Sequence, residues 1–384
     1  MLPPDRAFIV RTLTDLVRIN SVNPSLAPDG AGEAEIAAYI ERTLRAIGLE
    51  TAIYEPQPGR ATAVGTLRGS GGGRSLMLNG HADTVGVEGM PEPFGAEIRD
   101  GRLYGRGAHD MKGSLAAGIG AAKMLADAGV RLRGDLVVAA VADEEYGSLG
   151  TADLLTHLKT DAAIVTEPTN LDVCLAHKGY IWIDVETHGR AAHGSRFTEG
   201  VDAVMRMGRF LCELERLEVA LRTGPAHPLV GPPSLHAATI TGGSGLSTYA
   251  ARCRLQIERR TIPGETVEGA VGRIRAIADR LSAADPSFSG TVGTFFAREP
   301  FEVVPDAPIV RALAGEAAAV IGRTPAFVGD TPWMDAALLA EAGIETVVMG
   351  PTGAGEHSAV EWVDVESVVQ MAEILARTAV AYCA

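Results

Sequence analysis

The sequence predicts an α/β fold in which a mixed, mostly parallel sheet flanked by helices is interrupted by a smaller inserted domain. Three observations carry this. The runs "SLMLN", "DLVVAAVA" and "DAAIV" hold consecutive apolar residues rather than alternating ones, as strands covered by helices on both faces do. Near Cys174 the pattern changes to strands of alternating polarity and continues as β-α-β-β-α-β. After "PFEVVPDAP" the first pattern resumes. The outer domain is therefore read as residues 1–175 and 297–384, and the insertion as 176–296. A chain of 384 residues also exceeds what one core usually holds.

The elements follow in order. Phe8, Ile9, Leu13, Leu16 and Val17 give a first helix one apolar face, and "SVNPS" ends it. A second helix runs from about Glu33 to Ile47 and stops at Gly48. "TAIYE", "ATAVGTL" and "SLMLNG" read as strands, and "SLAAGIGAAKMLADAG" as a helix of small residues. "DLVVAAVA", a helix near "SLGTADLLTHL" and "DAAIVTEP" complete the first part. The insertion opens with one long strand, "VCLAHKGYIWIDVETHG", then a helix over 200–221 and the loop "GPAHPLVGPP". Two strands, "SLHAATITGG" and "STYAARCRLQIERR", a helix opened by "PGET" and the strand "GTVGTFFARE" follow, a ferredoxin-like order. A helix over 307–321, "AFVG", a helix over 333–342, "ETVVMG" and a helix from Asp364 close the chain.

Composition narrows the function. The net charge of −14, with no Lys/Arg-rich run, argues against nucleic acid and anionic membrane as partners. Cys174, Cys212, Cys253 and Cys383 form no CxxC pair, so a structural zinc knuckle is not expected. "MLPPDRAFIV" has no basic region followed by an apolar run, and no apolar stretch reaches a membrane-spanning length. A cytoplasmic protein is the expectation.

Four polar groups share one position. His81 and Asp83 follow "SLMLN", Asp143, Glu144 and Glu145 follow "DLVVAAVA", Glu167 follows "DAAIV", and His357 follows "ETVVMG". Ligands of open α/β sheets bind beyond the carboxyl ends of the strands, so these residues converge if their strands are parallel. Asp110, in a loop entering a helix, can join them. Each has a plain structural alternative: His81 and His357 as loop histidines, Asp83 and Glu167 as turn residues, Glu144 and Glu145 as a solvated helix start. Two histidines and several carboxylates without a cysteine describe a mixed N/O site suited to zinc, cobalt or manganese.

The ordered motifs "GHADTV", "GRGAHDMKG", "ADEEYG", "TEPT", "GRAAHGS", "ERRTIPGET" and "GEHSAVEWV" resemble the di-zinc amidohydrolase and exopeptidase family. That family includes acetylornithine deacetylase, succinyl-diaminopimelate desuccinylase, aminoacylase and glutamate carboxypeptidase. The resemblance spans nearly the whole chain and implies a discontinuous catalytic domain with an inserted dimerisation or lid domain. It implies two divalent ions, zinc with cobalt or manganese as alternatives. His81 and Glu167 would hold one ion, His357 and Glu145 the other, and Asp110 would bridge them. Asp83 would orient the His81 imidazole, and Glu144 would be the general base acting on a water between the ions. A cis peptide is implied at Asp110–Met111. His193 would reach the partner subunit's site in a homodimer and stabilise the oxyanion. Arg260 would bind the substrate carboxylate, with an ion pair to Glu258 as the structural alternative.

The sequence departs from the family where many relatives carry Asn-x-x-Pro. Here "STYA" stands, and Ser247 can only replace part of an amide's hydrogen bonding. Met334 also replaces a residue often polar in relatives, while Asp335 is read as a helix cap. His109, beside the bridging aspartate, is read as a packing or supporting residue. The implied reaction is hydrolysis of the amide of an N-acyl amino acid. Alternatives are a dipeptidase or carboxypeptidase acting on short peptides, and a catalytically silent binding protein on the same scaffold.

Overall fold

The computed structural model describes residues 3–384, and the chain divides into two compact units. The first begins with α1 (Arg6–Arg18), α2 (Ala34–Ile47), β1 (Glu50–Gln57), β2 (Arg60–Leu67), β3 (Leu76–His81), β4 (Glu97–Arg99) and β5 (Arg102–Tyr104). An irregular turn, Ala108–Lys112, leads into α3 (Gly113–Asp127). Next come β6 (Leu136–Val141), α4 (Leu149–His157), β7 (Ala162–Val165) and β8 (Val173–His177). The second unit follows with β9 (Gly179–His188), α5 (Ala203–Thr223), β10 (Ser234–Gly242), β11 (Arg252–Thr261), α6 (Val267–Ala284), β12 (Ser289–Arg298) and β13 (Phe301–Glu302). The chain then runs through α7 (Pro308–Ile321), β14 (Phe327–Asp330), α8 (Ala336–Glu341), β15 (Glu345–Val348), β16 (Gly353–Ala354), β17 (Trp362–Asp364) and α9 (Val365–Tyr382).

The sheet of the first unit has the order β1-β2-β6-β3-β7-β15-β8. Its centre is parallel: β3 pairs in parallel with β6 and β7, and β15 with β7. β1–β2, β2–β6 and β15–β8 are antiparallel. Every residue of β3, β6 and β7 is buried, which is why these runs show no alternation of apolar with exposed polar residues. The α3 helix needs its small residues because it lies between α1 and α9. A Cβ at Gly120 would stand 2.7 Å from Ile9 Cγ1 and 3.3 Å from Ala372 Cβ.

The second unit is a four-stranded antiparallel sheet, order β10-β11-β9-β12. Ile181, Ile183, Val185, Leu255 and Ile257 pack on one face with Phe210 and Leu214 of α5 and Ile274 and Ile277 of α6. Tyr180, Trp182, Asp184 and Glu186 alternate onto the opposite face.

Several local readings need correction. The long strand predicted over 173–189 is two strands, β8 and β9, broken at Lys178, whose Nζ bonds the Pro232 carbonyl at 2.7 Å. β11 starts at Arg252, so Ser247 lies before the strand. The helix expected over 333–342 is only Ala336–Glu341, and the Asp335 side chain makes no capping bond. Its carboxylate accepts the Thr151 hydroxyl instead. The compact second unit extends past residue 296 to Glu302, because β12 runs to Arg298, and it also takes in residues 329–333. The small sheet β16-β17-β5-β4 has no counterpart in the sequence reading, since strands of two or three residues leave no periodicity.

Candidate active site

The parallel strands bring the polar groups to one edge of the first unit. His81 ends β3, Asp143–Glu145 follow β6, Glu167 follows β7, and His357 lies in the loop after β15. His81 Nδ1 lies 2.9 Å from the Asp83 carbonyl oxygen. That oxygen can only accept, so Nδ1 carries hydrogen and Nε2 is the nitrogen that faces the cluster. It lies 2.8 Å from Asp110 Oδ1 and 3.7 Å from Glu167 Oε1. His357 Nε2 lies 3.3 Å from the other oxygen of Asp110 and 3.0 Å from Glu145 Oε2. Asp110 thus stands between two imidazoles, one on each oxygen. Two sets of donor atoms lie within 4.8 Å of one another: His81, Glu144 and Glu167, and His81, Asp110 and Glu145.

Four carboxylates face two imidazoles here, and the electrostatics show the excess. Burial, then Glu167, holds the Glu144 pKa well above the usual carboxylate range. Glu167 is raised likewise by burial, against the attraction of His81. Burial and Asp110 push Glu145 up to about 7. Burial opposes protonation of His81, but Glu167 and Asp110 outweigh it and raise its pKa well above that of free imidazole. Asp110 and Glu145 push His357 up to about 10. Glu145 Oε1 is buried without a hydrogen-bond partner. Clustered carboxylates, two imidazoles of which His81 has one nitrogen fixed as donor, and an orphaned carboxylate oxygen form a donor set suited to divalent cations.

The residues around the cluster come from distant parts of the chain. The Asp83 carboxylate does not meet the His81 ring within hydrogen-bond range: Oδ1 is 3.7 Å from Nδ1, and the Asp83 main-chain oxygen takes that role. The carboxylate instead accepts the N–H groups of Glu144 and Glu145, at 3.1 and 3.3 Å, and fixes their turn. Asp143 is left-handed (φ 68°), and the turn over 144–147 places the two glutamates in different donor sets. Asn23 Nδ2 donates to Asp83 Oδ2 at 2.7 Å and to Asp143 Oδ1 at 3.1 Å. Arg60 donates twice to Glu33, both at 2.8 Å, and to Asp143 at 2.7 Å.

Glu361 holds the other side. Its Oε1 accepts the N–H groups of His109 and Asp110, and its Oε2 accepts Gly107 N–H and Arg106 Nη1. The Asp110–Met111 peptide beside it is cis. His109 is buried, with Nδ1 2.7 Å from Glu356 and Nε2 3.3 Å from the Pro351 carbonyl, away from the cluster. The sequence reading missed Asn23, Arg60, Glu33 and Glu361. "SVNPS" signalled only a helix end, and Glu361 stood inside the motif "GEHSAVEWV" without a role.

His193, Ser247 and Arg260 belong to the second unit. His193 is exposed, and its Nδ1 accepts the Ser195 N–H at 3.3 Å, so a neutral ring carries its hydrogen on Nε2. Gly194 N–H donates to the Ser247 carbonyl at 2.7 Å, so Ser247 holds the His193 loop through its backbone. Arg260 Nε lies 2.5 Å from Glu258 Oε1, and its guanidinium stacks 5.2 Å from the Tyr180 ring centre. The alternative ion pair read from the sequence is therefore formed. Among the described residues no helix is long and apolar enough to cross a membrane.

Comparison with known proteins places this geometry. The profile of "Peptidase family M20/M25/M40" matches residues 77–381. An acetylornithine deacetylase of Myxococcus xanthus is 32% identical over 381 residues, covering 97% of each chain. An N-formyl-4-amino-5-aminomethyl-2-methylpyrimidine deformylase of Bacillus subtilis is 28% identical, covering 93% of this chain and 91% of its own. Among solved structures, the aminopeptidase PepT of Bacillus cereus superposes with a TM-score of 0.79 at 17% identity, covering 99% and 100% of the two chains.

Proposed function

The chain belongs to peptidase family M20/M25/M40, and from that membership we propose that it is a metal-dependent hydrolase that deacylates an N-acyl amino acid. The observation that carries the reading is Asp110 set between His81 and His357, with Glu144, Glu145 and Glu167 around them at the ends of parallel strands. His81 and Glu167 would hold one divalent ion, and His357 and Glu145 the other, with Asp110 shared. Zinc suits this donor set, and cobalt or manganese would also fit it. Ions bound there would polarise the amide carbonyl and lower the pKa of a water.

The chain's own residues do the rest. Glu144 takes the proton of the attacking water and passes it to the leaving amine. Asp83 and Asn23 hold the turn that separates Glu144 from Glu145. His193 offers Nε2–H to the oxyanion, and Arg260 binds the substrate carboxylate.

A homodimer with His193 acting in the partner's site fits the second unit. Arg260 lies eight residues along β11 from Arg252, roughly 27 Å at about 3.4 Å per residue. His193 bridges to Thr248, beyond the Arg252 end. A small N-acyl amino acid cannot span that length, so one substrate would take Arg260 and His193 from different protomers. β10 supplies a surface for the second copy: it is an edge strand, exposed from His236 to Gly242, and carries neither proline nor lysine there. In this reading the first unit is the catalytic domain and the second the dimerisation and lid domain. Four free thiols fit a reducing cytoplasm.

Two relatives named for removal of acetyl and formyl groups favour deacylation over dipeptide cleavage. The test is turnover of a panel of N-acetyl, N-formyl and N-succinyl amino acids and dipeptides with zinc, cobalt and manganese. N-acyl amino acids are expected to be the better substrates. Selective cleavage of dipeptides would establish the peptidase reading instead.

A further inference from the structure

The chain holds 19 Phe, Trp and Tyr residues in all (9, 3 and 7), and several gather at one place on the second unit. On the sheet face away from α5 and α6, the register sets Tyr180 across from Arg260 on β11 and from Arg298 on β12. Trp182, two residues on, lies across from Phe296. A register shift between Thr294 and Phe296 adds Phe295 to the same cluster, as a bulge can re-aim a side chain. Trp182 stands 5.2 Å from Phe296 and 5.9 Å from Phe295, Tyr180 stands 5.8 Å from Phe296, and Trp333 stands 6.1 Å from Tyr180. Phe295 is 52% exposed, and Trp182 and Phe296 remain partly exposed. Further along the same face the pattern ends in ion pairs, Asp184 with Arg254 and Glu186 with Arg252. The aromatic end is therefore a local feature and not a property of the whole face.

We propose that these rings form the subsite for the substrate's side chain, and that the enzyme takes N-acyl amino acids with aromatic or large apolar side chains. This rests on Arg260 binding the substrate carboxylate. With the carboxylate on Arg260, the adjoining surface is Trp182 and the two phenylalanines, backed by the buried Tyr180, and it offers planar contact to a ring and little to a small or charged side chain. A cationic side chain is disfavoured for a second reason. The Arg260 guanidinium already stacks on Tyr180, and that of Arg298 lies 4.5 Å from Phe296 and 5.5 Å from Trp333. An ammonium would meet two guanidiniums against the one carboxylate of Glu258, which is already paired with Arg260, and the faces of Tyr180, Phe296 and Trp333 already carry cations.

The experiment compares kcat/KM for N-acetyl-L-phenylalanine, N-acetyl-L-ornithine and N-acetylglycine with the zinc- or cobalt-loaded enzyme. The phenylalanine derivative should lead the other two by about tenfold or more, the order expected for burying one ring. Trp182→Ala and the half-exposed Phe295→Ser should each lower the phenylalanine-to-glycine ratio at least fivefold. Phe295→Ser tests the idea even if Trp182→Ala folds poorly. Preference for the ornithine derivative, or an unchanged ratio in Phe295→Ser, overturns the subsite. Binding is read separately by tryptophan fluorescence of Glu144→Gln. If wild type turns over none of the three while N-acetyl-L-phenylalanine still binds in preference to N-acetyl-L-ornithine, the deacylase reading falls and the subsite stands.

Discussion

Replacing Glu361 by glutamine tests whether the Asp110 loop is held as its bonds imply. Glutamine keeps one oxygen, which can still accept the His109 and Asp110 N–H groups at 2.9 and 3.1 Å. The other oxygen becomes an NH2 group that faces two donors, Gly107 N–H at 3.0 Å and Arg106 Nη1 at 2.7 Å. Arg106 and Glu361 side chains are 3% and 1% exposed, so water does not replace the lost partner. Removing one member of such a buried pair costs about 3–5 kcal/mol. Arg106 keeps its bonds to the Gly86 and Ser358 carbonyls, which places the expected loss near the lower end, about 3 kcal/mol. Urea unfolding followed by circular dichroism should show a lower midpoint. Metal content after dialysis should fall as well, because Asp110 loses its fixed loop. A midpoint and metal content equal to wild type would refute the argument that Glu361 holds this loop.

Other outcomes follow from the same geometry. Glu144→Gln should keep bound metal while losing about 10²-fold or more in kcat, measured by single-substrate turnover; full activity would remove its role as base. Asp110→Ala should lose metal-dependent activity, whereas His109→Ala, whose ring faces Pro351 and Glu356, should keep much of it. Mixing His193→Ala with Asp110→Ala protein after subunit exchange should restore activity, because a mixed dimer contains one complete site; silence of the mixture would argue against action in trans. Burial pushes the Cys383 thiol up to about 12 from a usual value near 9. Its folded pKa lies above its unfolded one, so the stability it contributes is present below about pH 9 and is lost as pH rises towards 12. Thermal unfolding from pH 8 to 11 should fall less steeply in Cys383→Ala.

The sequence was most legible where the chemistry follows a period or a strand end. Apolar runs at 76–78, 136–141 and 162–165 marked the buried parallel strands, because burial on both faces leaves no room for regular polar alternation. His81, Asp143–Glu145 and Glu167 lie at the ends of those three strands, and His357 follows the separate strand β15. It was less legible where chain geometry intervened. The break at Lys178 falls inside a continuous strand pattern, and it shows only in the pairing: β8 belongs to the sheet of the first unit and β9 to the four-stranded sheet, with Lys178 Nζ bonded to the Pro232 carbonyl 54 residues away. Asp83 was expected to orient His81, without a choice between its carboxylate and its main chain. Its backbone carbonyl meets the ring, since a residue two positions on can fold its main chain under the ring while its side chain turns to the next loop.

The sequence by itself determined the α/β class, the ferredoxin-like strand order of the second unit and the types of donor at the strand ends, because each depends on local period or on residues adjacent in the chain. Tertiary structure decided which distant groups hold those donors. Asn23 reaches Asp83 across 60 residues, Arg60 reaches Asp143 across 83, and Glu361 reaches Asp110 across 251. Those pairings depend on strand order and packing, and a buried polar group must find its partner wherever the fold brings one within hydrogen-bond distance.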